Sequence, residues 1–211
     1  MLLFFVKSKA QEIPSYLDTC YRYTSIEEAS QSPDNVRVLI LNKKKLKEVP
    51  AIVYTFKNLE YLSLEKNKIE KIASDIKELK NLKVLNLSKN NLNDLPSEFT
   101  TLTQLEKLYL SKNNFTVFPL EILELRQLRV LNLNQNNIKE IPYSIKDLSL
   151  LTHLDLWDNE FTTLPESIKE LKNLKELDLQ IVPLSNSEKK RIEALLPNVN
   201  VHFSNSCNCG D

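Results

Sequence analysis

Residues 82–102, LKVLNLSKNNLNDLPSEFTTL, decide the fold, because the same pattern returns every 23 residues along the chain. One leucine opens each of six successive copies: Leu59, Leu82, Leu105, Leu128, Leu151 and Leu174. An asparagine and a proline also return at fixed later positions: Asn67, Asn90, Asn113, Asn136 and Asn159, and Pro96, Pro119, Pro142 and Pro165. A fixed period of this length predicts a solenoid, in which each repeat packs only against its neighbours.

Each repeat combines a strand signal with a turn signal. Leu85 and Leu87 are two residues apart, which is the spacing of one strand face, so we expect both to point into the core. The residues that then point away are Val84, Asn86 and Ser88. Asn90 lies where the chain turns, and stacked asparagines should form a ladder that satisfies unpaired backbone groups. The return segment has apolar residues three and four apart, which predicts short turns or 3₁₀ helix: Leu92, Leu95, Phe99 and Leu102.

Written out, the unit is L-x-x-L-x-L-x-x-N-x-[LIF]-x-x-[LIF]-P-x-x-[IF]-x-x-L-x-x, and over residues 36–203 it resembles the leucine-rich repeat family in its 23-residue bacterial form. The resemblance implies an α/β solenoid shaped as a horseshoe, with parallel strands on the concave side and short 3₁₀ or helical turns on the convex side. The chain is also similar to exported spirochaete proteins of this family, which implies an envelope or host-directed role. In this family the concave strand face usually binds the partner.

The N-terminal region departs from the repeat and predicts a cap. Residues 11–35 should cover the first repeat, and within them Ser25 caps a short helix with Glu28 three residues on. In the first repeat Lys44 takes the place of the asparagine. This loss fits a terminal unit, because one side of the ladder has no neighbour there.

The C-terminal region predicts a second cap. Val182 replaces the asparagine in the last repeat, and a cap helix is expected near 187–196 with Ser187 as its N-cap. A final strand near Val199 brings the expected number of strands to eight, and residues 204–211 form a disordered tail.

The first ten residues resemble the end of an export signal. An apolar run from 2 to 6 is followed by Ser8, Lys9 and Ala10, with small residues where a signal peptidase would cleave. Residues 1–10 are then a signal-peptide remnant, and the mature protein begins at Gln11 and is secreted or held in the cell envelope. The alternative is that the apolar start is an ordinary first strand.

The composition excludes several classes of function. The chain has 28 basic and 28 acidic residues, and this neutral balance argues against a general nucleic-acid binder. Its only glycine is Gly210, so the chain lacks the glycine loops that cradle phosphates or dinucleotides. The three cysteines are Cys20, Cys207 and Cys209, which is too few for a disulfide framework. We expect a monomer without a cofactor and without a membrane span.

The outward strand positions define a candidate partner-binding surface. They carry a discontinuous apolar and aromatic stripe, and such side chains commonly supply the anchors of protein interfaces. The predicted contact residues are Tyr61, Val84, Asn86, Lys107, Tyr109, Val130, Asn132, His153, Asp155 and Trp157. Tyr109 and Trp157 are expected to be the main anchors, because no repeat position here requires an aromatic residue.

Charge on this face suggests an alternative ligand. A column of lysines occupies one position of four consecutive repeats: Lys43, Lys66, Lys89 and Lys112. It could bind an anionic glycan, or orient a protein of complementary charge, since the far end of the face is acidic. The simpler interpretation is a solvated rim.

A second alternative is a divalent cation site. One imidazole and three carboxylates share the face at adjacent repeats: His153, Asp155, Glu176 and Asp178. They suit Zn²⁺ if the histidine is a ligand and Ca²⁺ if only oxygens bind. Salt bridges with Lys175 and Arg129 are the structural alternative. Because His153 has no nucleophile beside it and an open sheet offers no pocket, we do not expect an enzyme. The sequence predicts a non-catalytic protein-recognition module.

Overall fold

The computed structural model describes residues 13–204. Each repeat contributes one short strand, and the strands form a single parallel sheet in chain order. The nine strands of this part of the chain are β1 Arg22–Tyr23, β2 Val38–Ile40, β3 Tyr61–Ser63, β4 Val84–Asn86, β5 Lys107–Tyr109, β6 Val130–Asn132, β7 His153–Asp155, β8 Glu176–Asp178 and β9 Asn200–His202. The predicted solenoid is confirmed, with one strand more than the expected eight because the N-terminal cap contributes β1.

The convex side consists of short 3₁₀ helices, as the spacing of its apolar residues predicts. They span Ala51–Thr55, Ser74–Glu78, Ser97–Thr101, Leu120–Glu124, Tyr143–Asp147 and Glu166–Glu170. A proline precedes most of them, and the carbonyl of Pro96 accepts the first hydrogen bond, from the amide of Phe99 at 2.9 Å. The fixed φ of proline suits this entry position, where no amide hydrogen is needed.

The core lies between the two sides and runs the length of the solenoid. Leu85 and Leu87 point into it as predicted, and Phe99 fills it from the convex side. These side chains belong to one continuous cluster that extends from Tyr23 to Leu196. Since each repeat exposes its leucines until the next one stacks on it, the core exists only between neighbours.

The predicted asparagine ladder is present. The amide group of Asn113 donates to the carbonyls of Leu87 and Leu110, at 3.1 and 3.0 Å, and its oxygen accepts from the amide of Leu92 at 3.0 Å. All five ladder asparagines are buried: Asn67, Asn90, Asn113, Asn136 and Asn159. Each one satisfies buried backbone groups at the turn, which fixes the register between repeats.

In the turn after each strand, one position has a left-handed backbone conformation. In seven repeats the residue at this position has φ between 53° and 60°: Lys43, Lys66, Lys89, Lys112, Gln135, Asp158 and Ile181. The backbone amide of Lys89 continues the sheet hydrogen bonding by donating to the carbonyl of Ser111 at 2.7 Å. The lysine column therefore occupies a backbone conformation that costs a non-glycine residue about 1 kcal/mol or more.

The N-terminal cap confirms one prediction and adds a strand. Helix α1, Ile26–Ser30, begins at Ser25, whose side chain accepts from the amide of Glu28 at 3.2 Å. Strand β1 pairs in parallel with β2 and covers that edge of the sheet.

The C-terminal cap corrects the predicted N-cap. Helix α2, Asn186–Leu195, is capped by Ser185 and not by Ser187. The reason is the capping-box spacing: Glu188 stands three residues after Ser185, and its amide donates to the Ser185 hydroxyl at 3.1 Å. The carboxylate of Glu188 also accepts from the amide of Leu164 at 2.9 Å. This bond joins α2 to the segment just before the last 3₁₀ helix, Glu166–Glu170.

The predicted export signal, residues 1–10, and residues 205–211 of the predicted tail lie outside the described residues. Across the described ones, none of the helices has the length and apolar character needed to cross a membrane. Two further 3₁₀ turns are described near the N-terminus: Pro33–Asn35 leads into β2, and Ser15–Leu17 lies over the concave face.

Candidate functional site

The concave face divides into a covered half and an accessible half. Toward the N-terminus its side chains are buried: Val38, Tyr61, Ser63, Val84, Asn86, Ser88 and Tyr109. Toward the C-terminus His153 is exposed, and Asp155 and Trp157 are only half-buried. Lys107 and Val130, between the two halves, are also half-buried. The predicted binding surface is therefore not one continuous open stripe.

A second hydrophobic cluster explains the covered half. It consists of Leu17, Val38, Tyr61, Val84 and Tyr109, separate from the leucine core. Ile13, Cys20, Ile40 and Val130 pack against it. The expectation that Tyr109 stands free on the concave face is wrong, because its side chain is only 1% exposed.

Two asparagines of the predicted surface have a structural role. The side-chain oxygen of Asn86 accepts from the amide of Ser88 at 2.9 Å, and that of Asn132 accepts from the amide of Asn134 at 3.1 Å. These bonds hold the chain where it leaves the strand. Both asparagines are buried, so they are not free to contact a partner directly.

Asp155 is the most perturbed acid of the accessible half. Its Oδ2 accepts from Asn132 and Asn134, at 2.8 and 2.6 Å, and its Oδ1 accepts from the amide of Trp157 at 3.2 Å. Burial raises the pKa of Asp155 to about 6, and the nearby charge of Asp178 acts in the same direction, although the three hydrogen bonds oppose the shift.

The structure does not assemble the metal site that was the second alternative, formed by His153, Asp155, Glu176 and Asp178. The carboxylate of Glu176 accepts instead from His202 Nε2 at 2.8 Å, and this hydrogen bond lowers the Glu176 pKa. His153 Nδ1 lies 2.8 Å from the hydroxyl of Thr152. Within residues 13–204 no group of three or more histidine, cysteine or acidic side chains is arranged to hold a metal ion.

The lysine column is in register but partly neutralised. Lys89 Nζ lies 2.6 Å from Glu65 Oε1, and Lys66 Nζ lies 4.0 Å from the same atom. Lys43 and Lys112 are exposed at either end. Glu65 therefore removes part of the positive charge that the glycan alternative requires.

A charged network that the sequence did not lead us to predict lies at the start of the strands. Glu60 lies between Arg37 and Lys83, with its carboxylate 2.6 Å from Arg37 Nε and 2.9 Å from Lys83 Nζ. Lys83 Nζ also stands 4.8 Å from the centre of the Tyr16 ring. The signal for this network was the alternation of charge at one repeat position, 23 residues apart: Arg37, Glu60, Lys83, Glu106 and Arg129.

A parallel solenoid with an asparagine ladder and a curved strand face is a binding scaffold in its architecture. The family model described as leucine rich repeat matches residues 34–92, 57–115, 103–161 and 126–181, which together cover more than half of the chain. The protein belongs to the leucine-rich repeat family. None of the curated proteins matches it.

Solved structures share the fold at low sequence identity. An internalin C2 from Listeria monocytogenes is 21% identical with a TM-score of 0.63, and the match covers 82% of each chain. An internalin, InlF, from the same organism is 19% identical with a TM-score of 0.58, covering 87% of this chain and 67% of that one. The plant peptide hormone receptor RGFR1, solved in complex with RGF2, is 22% identical with a TM-score of 0.63. The match covers 81% of this chain, which spans only 28% of the receptor.

Proposed function

We propose that the protein recognises a protein partner through the accessible half of its concave face, formed by β6, β7 and β8. The observation that carries the proposal is Trp157, the only tryptophan of the chain. The other repeats have polar residues at this position: Asn42, Glu65, Ser88, Ser111, Asn134 and Gln180. The repeat therefore needs no aromatic residue here, and a half-buried tryptophan suits an interface anchor.

The charge around Trp157 favours a partner with basic residues. Asp155 and Asp178 are register partners on adjacent strands, and Glu176 lies on the same face. An acidic surface steers a basic partner toward it and discriminates against acidic ones. The leucine-rich repeat architecture supports a protein interaction in general, and the identity of this partner is open to experiment.

We also propose that the protein is exported, on the evidence of the apolar run and small residues in positions 2–10. The native full-length gene should then yield a secreted or envelope-bound protein whose intact mass corresponds to a start at Gln11. An uncleaved protein in the cytoplasm would show that this apolar stretch has another role. Recognition by the concave face does not depend on the outcome.

The binding proposal is tested by comparing captured proteins. The full chain, Trp157→Ala and Val117→Ala are used as baits for extracellular and envelope extracts. Val117 is the control, since it is 71% exposed and lies outside the strands of the concave face. A partner captured by the full chain and by Val117→Ala, but about thirty-fold more weakly by Trp157→Ala in direct titration, supports the proposal. Equal binding by all three overturns it.

The same titration addresses the glycan alternative. Binding to an anionic glycan should fall steeply with added salt and be lost in the double variant Lys43→Glu, Lys112→Glu, while Trp157→Ala has little effect. The two exposed ends of the lysine column are chosen because Lys89 is already paired with Glu65.

A further inference from the structure

Residues 13–20 form a compact turn that presents apolar side chains on one side. The amide of Leu17 donates to the carbonyl of Pro14 at 2.8 Å, and the amide of Cys20 donates to the carbonyl of Leu17 at 2.9 Å. These i→i+3 bonds make a 3₁₀ turn, Ser15–Leu17, that folds the segment back on itself and directs Ile13, Leu17 and Cys20 toward the concave cluster. All three contact the concave cluster, and Leu17 is fully buried there.

The receiving surface is apolar beneath this segment. Val38, Tyr61 and Val84 occupy one outward position of successive strands, and Tyr109 completes the surface from β5. The same outward position then carries Lys107 and Val130, both half-buried, and in the accessible half His153 and Glu176. Because outward positions contribute nothing to the leucine core, the change from apolar to polar residues marks a groove made to be covered.

Residues 13–20, which we call the cover, are held on the repeats by side-chain contacts alone. Within the described part of the chain, no backbone hydrogen bond joins residues 13–20 to a repeat. The polar contacts of the cover with the sheet include the Tyr16 ring over Lys83, hydrogen bonding of Tyr16 with Glu60, and a 3.3 Å contact from Arg37 Nη1 to Cys20 Sγ. Segments with few backbone bonds to the rest of a fold open at low free-energy cost.

The groove contains a polar atom that the cover does not satisfy. The Tyr109 hydroxyl is buried and has no hydrogen-bond partner among residues 13–204. Buried hydroxyls are normally paired, so an unpaired one marks a place where another molecule can supply an acceptor.

We propose that Val38, Tyr61, Val84 and Tyr109 form an apolar docking groove. Residues 13–20 fill this groove in the structure and can dissociate from it. The partner that replaces them is an apolar protein segment that presents aliphatic side chains, as Ile13 and Leu17 do, together with an acceptor for the Tyr109 hydroxyl. The inference rests on the proposed function, since it gives the concave face a second protein-binding surface. It concerns the covered half and not Trp157.

The test measures the accessibility of two tyrosines in the full-length chain. Tetranitromethane nitrates accessible tyrosine rings, and peptide mapping reports each site. In the parent we expect Tyr61 and Tyr109 to be protected and Tyr143, which is 60% exposed, to react. In Leu17→Asp the charge expels the segment, so Tyr61 and Tyr109 should react at least tenfold faster. Tyr54, buried in the leucine core, is the folding control and should stay protected.

A peptide experiment identifies the occupant. Excess synthetic peptide of residues 13–20, carrying Tyr16→Phe to remove its own reactive ring, should restore protection of Tyr61 and Tyr109 in Leu17→Asp. The same peptide with Leu17→Asp should not. If the two tyrosines stay protected in the variant, or if the matched peptide has no effect, the proposal is overturned.

If Tyr54 also reacts in Leu17→Asp, that variant has unfolded and nitration cannot test the proposal. Hydrogen exchange of the parent then provides the test. We expect the amides of Leu17 and Cys20 to exchange at least tenfold faster than that of Leu62 in β3. Equal rates would mean that the cover opens only when the repeats do, which contradicts a detachable occupant. None of these measurements uses Trp157 or its partner. The groove proposal can therefore fail while recognition through Trp157 holds, and recognition through Trp157 can fail while the groove proposal holds.

Discussion

Tyr109 and Leu110 are consecutive residues whose side chains are both buried, in two separate hydrophobic clusters. Leu110 belongs to the leucine core, whereas Tyr109 belongs to the concave cluster with Leu17. Alternation along a strand normally places one of two neighbours in solvent. Here the N-terminal segment adds a second buried layer, and stability depends on both faces of the sheet.

The first prediction is that both residues support folding. Leu110→Ala should lower the free energy of unfolding by about 2–5 kcal/mol through lost contacts and a cavity. Tyr109→Ala should cost about 3 kcal/mol, since it also empties a packed site. Urea unfolding measures both, with the exposed Val117→Ala expected within about 0.5 kcal/mol of the parent. A Tyr109→Ala variant as stable as the parent would mean that the concave cluster contributes nothing.

The second prediction isolates the hydroxyl of Tyr109. It is buried without a partner among the described residues, and burial raises the pKa of Tyr109. Tyr109→Phe keeps the ring and removes the unpaired group, so it should raise the free energy of unfolding by about 1 kcal/mol. Tyr143→Phe, on the exposed convex side, should change nothing measurable. Loss of stability in Tyr109→Phe would reveal a hydrogen bond to this hydroxyl.

The third prediction concerns the asparagine ladder. Asn113→Ala leaves the buried amide of Leu92 without its acceptor and removes one of the two asparagine donors to each of the carbonyls of Leu87 and Leu110. It should therefore destabilise the protein by about 1–3 kcal/mol. Asn114→Ala, at the exposed next residue, is the matched control and should cost little. Thermal unfolding of the pair is sufficient, and similar melting of the two variants would contradict a structural ladder.

The fourth prediction is a change in pH dependence. The pKa of Asp155 is about 6 in the folded protein against an ordinary value of 3.8, so folding strengthens its hold on the proton. The protonated Asp155 carboxyl therefore contributes fully to the stability of the fold below about pH 4, and this contribution is lost as the pH rises through 6. Relative to the parent, Asp155→Asn should therefore become more stable by about 2–3 kcal/mol between pH 4 and pH 7.

Urea unfolding at the two pH values measures this difference. Val117→Ala, which changes no ionisable group, is the control, and its difference from the parent should be the same at both. The pKa of Asp178 is also raised by burial, and its charge repels that of Asp155. Asp155→Asn removes this repulsion as well, which adds to the gain of the variant at the higher pH. A constant difference between Asp155→Asn and the parent would show that Asp155 has an ordinary pKa.

The repeat made most of the fold predictable, because one spacing determines strands, turns and core at once. The inward leucines, the asparagine ladder and the Ser25 cap follow from local rules that each copy repeats. The N-cap of α2 was missed, although the spacing of Ser185 and Glu188 contains the signal.

The candidate site was less predictable, since a repeat position does not reveal what lies over it. Tyr109 and Asp155 hold the same position in two repeats, yet Tyr109 is buried and Asp155 is partly accessible. Residues 13–20 lie outside the repeat, and Leu17 among them shares the concave cluster with Tyr109. The apolar residues Ile13, Leu17 and Cys20 in this segment were the available clue.

The left-handed turn position shows how such a surface can diversify. Lysine, glutamine, aspartate and isoleucine all adopt the same conformation there, because the hydrogen bond to the next repeat imposes it. Mutation can therefore exchange these side chains without reshaping the solenoid. Natural variants could reverse the charge of the rim one repeat at a time, and the partner preference of the molecule could drift while its architecture is inherited unchanged.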